Sequence, residues 1–368
     1  MSIKQKVEDL GYDDFFEANR KKFHWDEFSI ARVIAEHRGV YKVMNQHGTF
    51  SAKITGKQMF NASSREDYPV VGDWVSITEL PNSQAVIRGI FPRKTVMRRK
   101  AGDENRAGNK IDIQIIGANI DVVYVIESVD RDYNLNRFER YFVLARDGGV
   151  KPVIVLNKID LISKKDLDTK LQELRLRFCD VPIFTTSTVD DKGIDELKNY
   201  MLPRHTYCFL GSSGVGKSSL INTLIGEQGS IKTGNVSKYS GRGMHTTTSR
   251  EMYFLKNGSI VIDNPGIREV GVAIAKETLE NLFDEIIALE HSCKYADCTH
   301  VHEPGCAVLS ALQSGQIDEK KYKNYITLKK EAAHHEMSEL EKKKKERQFG
   351  KFVNKVKKDL KSRGHKHY

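Results

Sequence analysis

The chain has 368 residues, 39% of them hydrophobic and 29% charged. That is room for two or three domains with hydrophobic cores, and it excludes wholesale disorder. No apolar run approaches the roughly 18 residues of a membrane span, and Met1 to Asn19 is acidic and aromatic rather than basic and then apolar, so neither a membrane nor a secretory signal is expected. Five cysteines are too few for a disulfide scaffold and suit a reducing, cytoplasmic setting. The net charge of +10 is concentrated. Glu341 to Tyr368 hold 12 of the 59 Lys and Arg but 3 of the 49 Asp and Glu, a net +9. This describes a folded body with a basic appendage for a polyanion.

Residues 1–28, with Phe15, Phe16, Phe23 and Trp25, carry no assignable shape and read as an extension. From Ile30 short strands with turn signals begin: Ile30–Glu36, Gly39–Asn45, Gly48–Thr55, Val70–Thr78 and Gln84–Phe91. Five strands in about 65 residues suit a small closed barrel; an OB-fold has that count, and an SH3-like barrel is its competitor. Residues 92–110 read as a basic linker, with seven Lys or Arg against Asp103 and Glu104. Beyond it, Asp121–Ser128 and Pro152–Asn157 are apolar and β-branched, as buried parallel strands should be. Helical stretches Asn134–Asp147, Lys165–Phe178 and Ile194–Tyr200 alternate with strands Pro182–Thr186 and Thr206–Leu210. That alternation predicts an α/β sheet with helices on both faces.

Gly211-Ser212-Ser213-Gly214-Val215-Gly216-Lys217-Ser218 matches G-x-x-x-x-G-K-[ST] between the strand Thr206–Leu210 and a predicted helix from Ser219 to Gly226. Such a loop curls successive backbone N–H groups around phosphates; Lys217 supplies charge to the β- and γ-phosphates and Ser218 an oxygen to Mg²⁺. Asn157-Lys158-Ile159-Asp160 closes the strand Pro152–Leu156. An aspartate there can accept hydrogen bonds from guanine N1–H and its exocyclic amine, which adenine lacks. Lys158 can lie over the base and Asn157 can tie the loop together. Thr185-Thr186-Ser187-Thr188 ends the next strand, where a backbone N–H could meet guanine O6. The competing reading makes the Asn-Lys-Ile-Asp match accidental and the nucleotide ATP. The base motif precedes the phosphate loop, the reverse of the ordinary GTPase order, and a circular permutation explains that while keeping one site.

Ser259–Ile262 ends in Asp263-Asn264-Pro265-Gly266. Asp263 is placed to hold Mg²⁺ directly or through water, and the Gly266 N–H to meet a γ-phosphate. Gly229–Arg250 is glycine-rich and polar, as a switch loop should be, and Thr246 or Thr247 can close on Mg²⁺. Small signalling GTPases carry a water-orienting Gln where this chain has Ile267. Slow hydrolysis follows. His245 is the local candidate for positioning water, against a plain solvated loop histidine.

Cys293, Cys298, His300 and Cys306 lie within 14 positions. A Cys₃His set is a closed, structural zinc site, with His291 and His302 as rival ligands. Cys208 and Cys179 read as packed residues. Lys320–Arg347 reads as a helix, and Phe349, Phe352, Val353, Val356 and Leu360 recur at helical spacing among lysines. Solvated-face, calmodulin-target and membrane-surface readings also fit such a tail; beside a nucleic-acid-binding type of barrel, RNA is the favoured polyanion.

Together these motifs, in this order, resemble the ribosome small-subunit-dependent GTPase A family. The resemblance spans about residues 30–310 and includes Tyr68–Val75, Asn157–Asp160, Gly211–Ser219, Gly243–Thr248, Asp263–Gly266 and Cys293–Cys306. It implies an OB-fold, a circularly permuted P-loop GTPase domain and a C-terminal zinc domain. The expected division is 1–28 as extension, 29–105 as barrel, 112–272 as GTPase domain and 273–368 as zinc-binding domain with the helical tail. The resemblance also implies Cys293, Cys298, His300 and Cys306 as zinc ligands. It implies a cytoplasmic, monomeric GTPase that binds GTP and GDP, with hydrolysis stimulated by the small ribosomal subunit. Such a protein acts late in that subunit's maturation, contacts its RNA and helps release another assembly factor.

Overall fold

The computed structural model describes residues 6–37, 39–100, 113–130, 133–212, 214–226, 250–263 and 282–336. Ser213, His245, Thr246, Thr247, Gly266, Ile267 and the tail beyond 336 lie outside the described residues. The chain divides into two compact units, one holding 1–100 and 113–272, the other 101–112 and 273–368. None of the described helices is long and apolar enough to cross a membrane.

The first unit opens on a short 3₁₀ turn, Val7–Leu10, and helix α1, Asp14–Lys22. Asp13 caps α1 by accepting from the Phe15 N–H at 3.1 Å. The aromatic extension is therefore structured, and its partners explain why. Phe16 packs 5.8 Å from Trp74, Tyr12 meets Trp74 edge-on at 5.0 Å, and Trp25 meets Phe91 edge-on at 5.0 Å. These rings wrap the barrel, so the helix follows from tertiary burial rather than from its own apolar periodicity.

Strands β1 (Ser29–His37), β2 (Val40–Asn45), β3 (Gly48–Ile54), β4 (Trp74–Leu80) and β5 (Gln84–Ile90) form the barrel, with helix α2 (Gly56–Asn61) after β3. The order is β1-β2-β3-β5-β4 with β4 closing on β1. β3 and β5 run parallel and the other barrel pairs antiparallel. This five-stranded closed barrel is OB-like. Alternate residues point inward: Ala31 and Val33 meet Tyr41 and Val43, Phe50 and Ala52, Val75 and Ile77, Ala85 and Ile87. The predicted strand from Val70 begins later, at Trp74, because 70–73 turn, with Gly72 at φ +98°.

The basic linker reading needs correction. Val96–Lys100 is strand β6, paired antiparallel with β7, Ile113–Ala118, which the sequence reading had not recognised. Four of the seven basic side chains of 92–110 have internal partners. Arg93 is bidentate to buried Asp73 at 2.8 Å for each bond, Arg98 meets Glu66 at 2.7 Å, Arg99 bonds Gln114 and Lys94 bonds Asp13.

The α/β part has strands β8 (Val122–Ser128), β9 (Lys151–Asn157), β10 (Ile183–Thr186), β11 (Thr206–Leu210), β12 (Arg250–Phe254) and β13 (Ile260–Asp263). They lie in the order β10-β9-β8-β11-β13-β12, parallel except for β12. Every residue of β8 is buried, as a central parallel strand requires. Helices α5 (Ile194–Tyr200) and α6 (Lys217–Ile225) cover one face through Leu197, Leu220 and Leu224 against Tyr124, Val155 and Phe209. Helices α3 (Leu135–Asp147) and α4 (Lys164–Arg177) belong together; Phe138 and Phe142 pack on Phe178 at the end of α4. β12 also pairs with β1, Ala35 opposite Glu251 and Glu36 opposite Arg250, so barrel and α/β sheet are one eleven-stranded sheet. A bulge in β1 between Val33 and Ala35 lets one strand serve both.

The second unit contains α7 (Asp284–Glu290), α8 (Ala307–Gln313) and α9 (Glu319–Glu336). Its small core gathers Phe283, Ile286, Val308, Tyr325 and Leu328, all buried.

Candidate functional site

Parallel strands β8, β9, β10, β11 and β13 bring their C-terminal ends to one edge, where open α/β sheets bind ligands. The phosphate loop follows β11 and runs into α6, which begins at Lys217. Gly216 has φ +97°, and a Cβ there would stand 2.3 Å from Asn157 Nδ2, so only glycine fits. That contact joins the two motifs. Buried Asn157 donates from Nδ2 to the Val215 carbonyl at 2.9 Å and accepts from Thr186 Oγ1 at 2.9 Å. One amide thus connects base motif, phosphate loop and the 185–188 segment, although the first precedes the second by 58 positions. The permuted order closes into one site.

Asp160 is exposed, with its Oδ1 accepting from buried Ser187 Oγ at 2.7 Å. The Ser187 N–H donates to the Lys192 carbonyl at 3.0 Å. Ser187 therefore orients the carboxylate rather than offering its own amide to a base. Ile159 and Asp160 lie in a 3₁₀ turn, Ile159–Leu161, entered through Lys158 at φ +62°. A lysine in left-handed backbone is uncommon; here it aims the side chain at Asp130, whose Oδ2 lies 3.0 Å from Lys158 Nζ. Ser128 donates to the other Asp130 oxygen at 2.6 Å. The sequence reading missed Asp130; its place just past the C-terminal end of β8, beside the strand that carries the base motif, was the available signal.

Lys217 donates to the carbonyls of Gly211 at 2.7 Å and Ser212 at 2.6 Å. Burial pushes its ammonium down from the ordinary lysine value, against the nearby charges of Asp263 and Glu127. Burial pushes the Asp263 carboxyl up, with Lys217 opposing and Glu251 adding to it. Glu127 is buried and paired with Arg137 at 2.9 Å. Ser218 and Ser219 are exposed in the first turn of α6, and Gly214 is exposed in the loop. The backbone N–H groups there have no partner within the helix and suit an anion. The Ser218 hydroxyl and the Asp263 carboxylate are hard oxygen donors, the kind Mg²⁺ takes.

In the second unit the ligand atoms of Cys293, Cys298, His300 and Cys306 lie within 4.8 Å of one another. His300 Nδ1 is 3.6 Å from Cys293 Sγ and 3.5 Å from Cys306 Sγ, and those sulfurs are 3.9 Å apart. Tetrahedral zinc bond lengths require edges of about 3.6 Å for N to S and about 3.8 Å for S to S, so the residues fit that ion. His291 and His302 are not in the group. His300 takes φ +60°, and its Nε2 meets Glu290 Oε1 at 2.8 Å. Burial raises the Glu290 carboxyl, but hydrogen bonds from Lys329 and Tyr325 prevail and hold it below the ordinary range.

Fold and site together define a circularly permuted P-loop GTPase carrying an OB-like barrel and a Cys₃His module. Residues 90–273 match the family model described as RsgA GTPase, and residues 206–347 match one described as 50S ribosome-binding GTPase. A Lactiplantibacillus plantarum protein named small ribosomal subunit biogenesis GTPase RsgA 2 is 40% identical over 87% of this chain and 89% of its own. The chain belongs to the RsgA GTPase family. A relative from Bacteroides thetaiotaomicron, small ribosomal subunit biogenesis GTPase RsgA 1, is 35% identical over 95% of this chain and 96% of its own. YjeQ from Thermotoga maritima has a TM-score of 0.59 at 28% identity, covering 83% of this chain and 98% of that one. YloQ, described as a circularly permuted GTPase, shares the fold with a TM-score of 0.56 at 22% identity, covering 86% and 98%.

Proposed function

We propose that this GTPase acts late in maturation of the small ribosomal subunit. It hydrolyses GTP to GDP and phosphate slowly alone and faster on that subunit, and helps release another assembly factor. The observation that carries this reading is the Asn157 bridge between base motif and phosphate loop, in a chain whose relatives bear the small-subunit name. Asp160, oriented by Ser187, reads guanine, with Asn157, Lys158 and Ile159 forming that wall. Gly211, Ser212, Ser213, Gly214, Val215, Gly216, Lys217, Ser218 and Ser219 hold the phosphates. Mg²⁺, when bound, draws charge from the transferring phosphoryl oxygens; Ser218, Asp263 and Thr246 or Thr247 would hold it, with Gly266 near the γ-phosphate. His245 positions water where signalling GTPases use Gln. The Cys₃His residues hold one structural zinc.

The protein works as a cytoplasmic monomer divided functionally at 1–28, 29–105, 112–272 and 273–368. It grips ribosomal RNA through barrel and basic tail. The internal ion pairs of Arg93, Lys94 and Arg98 leave the tail's net +9 as the larger electrostatic term. One measurement tests the reading: steady-state GTP turnover with and without purified small subunits. Turnover should rise at least about tenfold, on the scale of partner-supplied stabilisation. Equal rates, or a greater rise with large subunits, would overturn it.

A further inference from the structure

Two helices of the second unit, α7 and α9, and the loop that carries His300 converge on one carboxylate oxygen. Glu290 Oε1, at the end of α7, accepts from His300 Nε2 at 2.8 Å, from Lys329 Nζ at 2.6 Å and from the Tyr325 hydroxyl. Tyr322, three residues before Tyr325 on α9, donates to the His300 carbonyl at 2.5 Å. Tyr322, Tyr325 and Lys329 share one face of α9, since positions three and four apart are neighbours on a helix. That face holds His300 at both ends. Tyr322 takes its main-chain carbonyl, while Tyr325 and Lys329 fix the carboxylate that takes its ring.

The other ring nitrogen, Nδ1, is the one that faces the sulfurs of Cys293 and Cys306. A nitrogen that ligates a metal carries no proton, so the proton belongs on Nε2, and Nε2 needs an acceptor. A divalent ion with three thiolates leaves a net charge of −1, and a carboxylate beside it adds another. Lys329 offsets that charge on the same oxygen. A carboxylate serving only an ion pair would need Lys329 alone; here the imidazole and a buried tyrosine are bound as well.

We infer that Glu290 is the positioning residue of the Cys₃His centre, and that through it metal occupancy and the docking of α9 are coupled. This rests on the zinc reading of the four ligands. The coupling is reciprocal: what steadies α9 tightens the metal, and the metal steadies α9.

The test uses the full chain, zinc alone as the probe, a chromophoric chelator for competition and hydrogen exchange along 319–330. Glu290→Ala should weaken zinc roughly 10–100-fold and speed exchange in that segment. Glu290→Gln, whose amide oxygen can still accept from Nε2, should recover most of the affinity. Lys329→Met, at a side chain 37% exposed, should give an intermediate loss and keeps the test open if Glu290→Ala does not fold. Stripping zinc from the wild type should speed the same exchange. Unchanged zinc affinity in Glu290→Ala or Lys329→Met, or metal removal without effect on 319–330, would overturn the coupling. A wild type that binds no equivalent of zinc would instead defeat the underlying metal reading, which separates the two failures.

Discussion

At the scale of single residues, Asn157 has both ends of its amide inside the protein and is 1% exposed. Truncating it leaves the Val215 carbonyl and the Thr186 hydroxyl without these partners, at about 1–3 kcal/mol for each buried group left unsatisfied. Asn157→Ala should therefore weaken GTP and GDP alike; about 1.4–2.8 kcal/mol of that cost falling on the nucleotide complex is a loss of about 10–100-fold, read in a titration with a fluorescent guanine nucleotide. Asp160 acts differently, because its carboxylate distinguishes bases and leaves the phosphate loop intact. Asp160→Ala should lose on the order of 100-fold or more in GTP affinity while weak ATP binding stays unchanged. If both nucleotides fell together, Asp160 would be structural and the guanine assignment would fail. These two residues were legible in the sequence because their motif is contiguous and ends an apolar strand. Asp130 and Glu290 were not. Each becomes informative only when a partner at a distance, Lys158 or His300, is folded against it.

At the scale of elements, long apolar strands and helices bounded by turn residues were readable with their boundaries nearly in place. Ile194–Tyr200 and Thr206–Leu210 are as expected. The segment 92–110 misled because charge is read locally while pairing is not. Arg93 and Arg98 find Asp73 and Glu66, 20 and 32 positions upstream. The β6–β7 pair is held to the barrel by a close main-chain approach at Gly72, where φ is +98° and a Cβ would stand 2.0 Å from the Ala118 carbonyl oxygen. Gly72→Ala must both strain the backbone and push β7 away, so a loss of at least about 2 kcal/mol is expected. Denaturant unfolding measures it; a midpoint equal to the wild type would mean that the barrel and β7 can separate freely.

At the scale of the molecule, the barrel, the N-terminal segment and the strand leading to the phosphate loop meet at one side chain. Arg32, on β1 and 1% exposed, donates to the Leu10 carbonyl, to the Asn119 carbonyl at 3.2 Å, to Thr206 Oγ1 at 2.7 Å and to the Gly72 carbonyl at 3.4 Å. Thr206 begins β11, and β11 ends where the phosphate loop starts. Burial lowers the Arg32 guanidinium to about 10, with Asp121, Asp73 and Asp13 opposing. A base depressed in the fold costs stability wherever both states are charged. The cost is thus full at neutral pH, about 3 kcal/mol, and fades only as pH rises from the folded toward the unfolded value. Against it stand the Leu10 and Asn119 carbonyls and the Thr206 hydroxyl, each worth about 1–3 kcal/mol if left unpaired in the interior, while the Gly72 carbonyl keeps Asn119 Nδ2 as a donor at 3.0 Å. The acceptors outweigh the desolvation. Arg32→Met, which keeps most of the volume and removes the charge, should still destabilise by a few kcal/mol on that comparison. Arg32→Ala should destabilise more, because it adds a cavity. Leu10 loses its tie to the barrel in both variants, so limited proteolysis should cleave within residues 6–28 faster than in the wild type, and GTP affinity should fall less than in Asn157→Ala. If the unfolding midpoint and the cleavage rate both stay at wild-type values, the N-terminal segment is held without Arg32, by its aromatic contacts with Trp74 and Phe91 and by the Lys94–Asp13 and Arg204–Asp9 pairs.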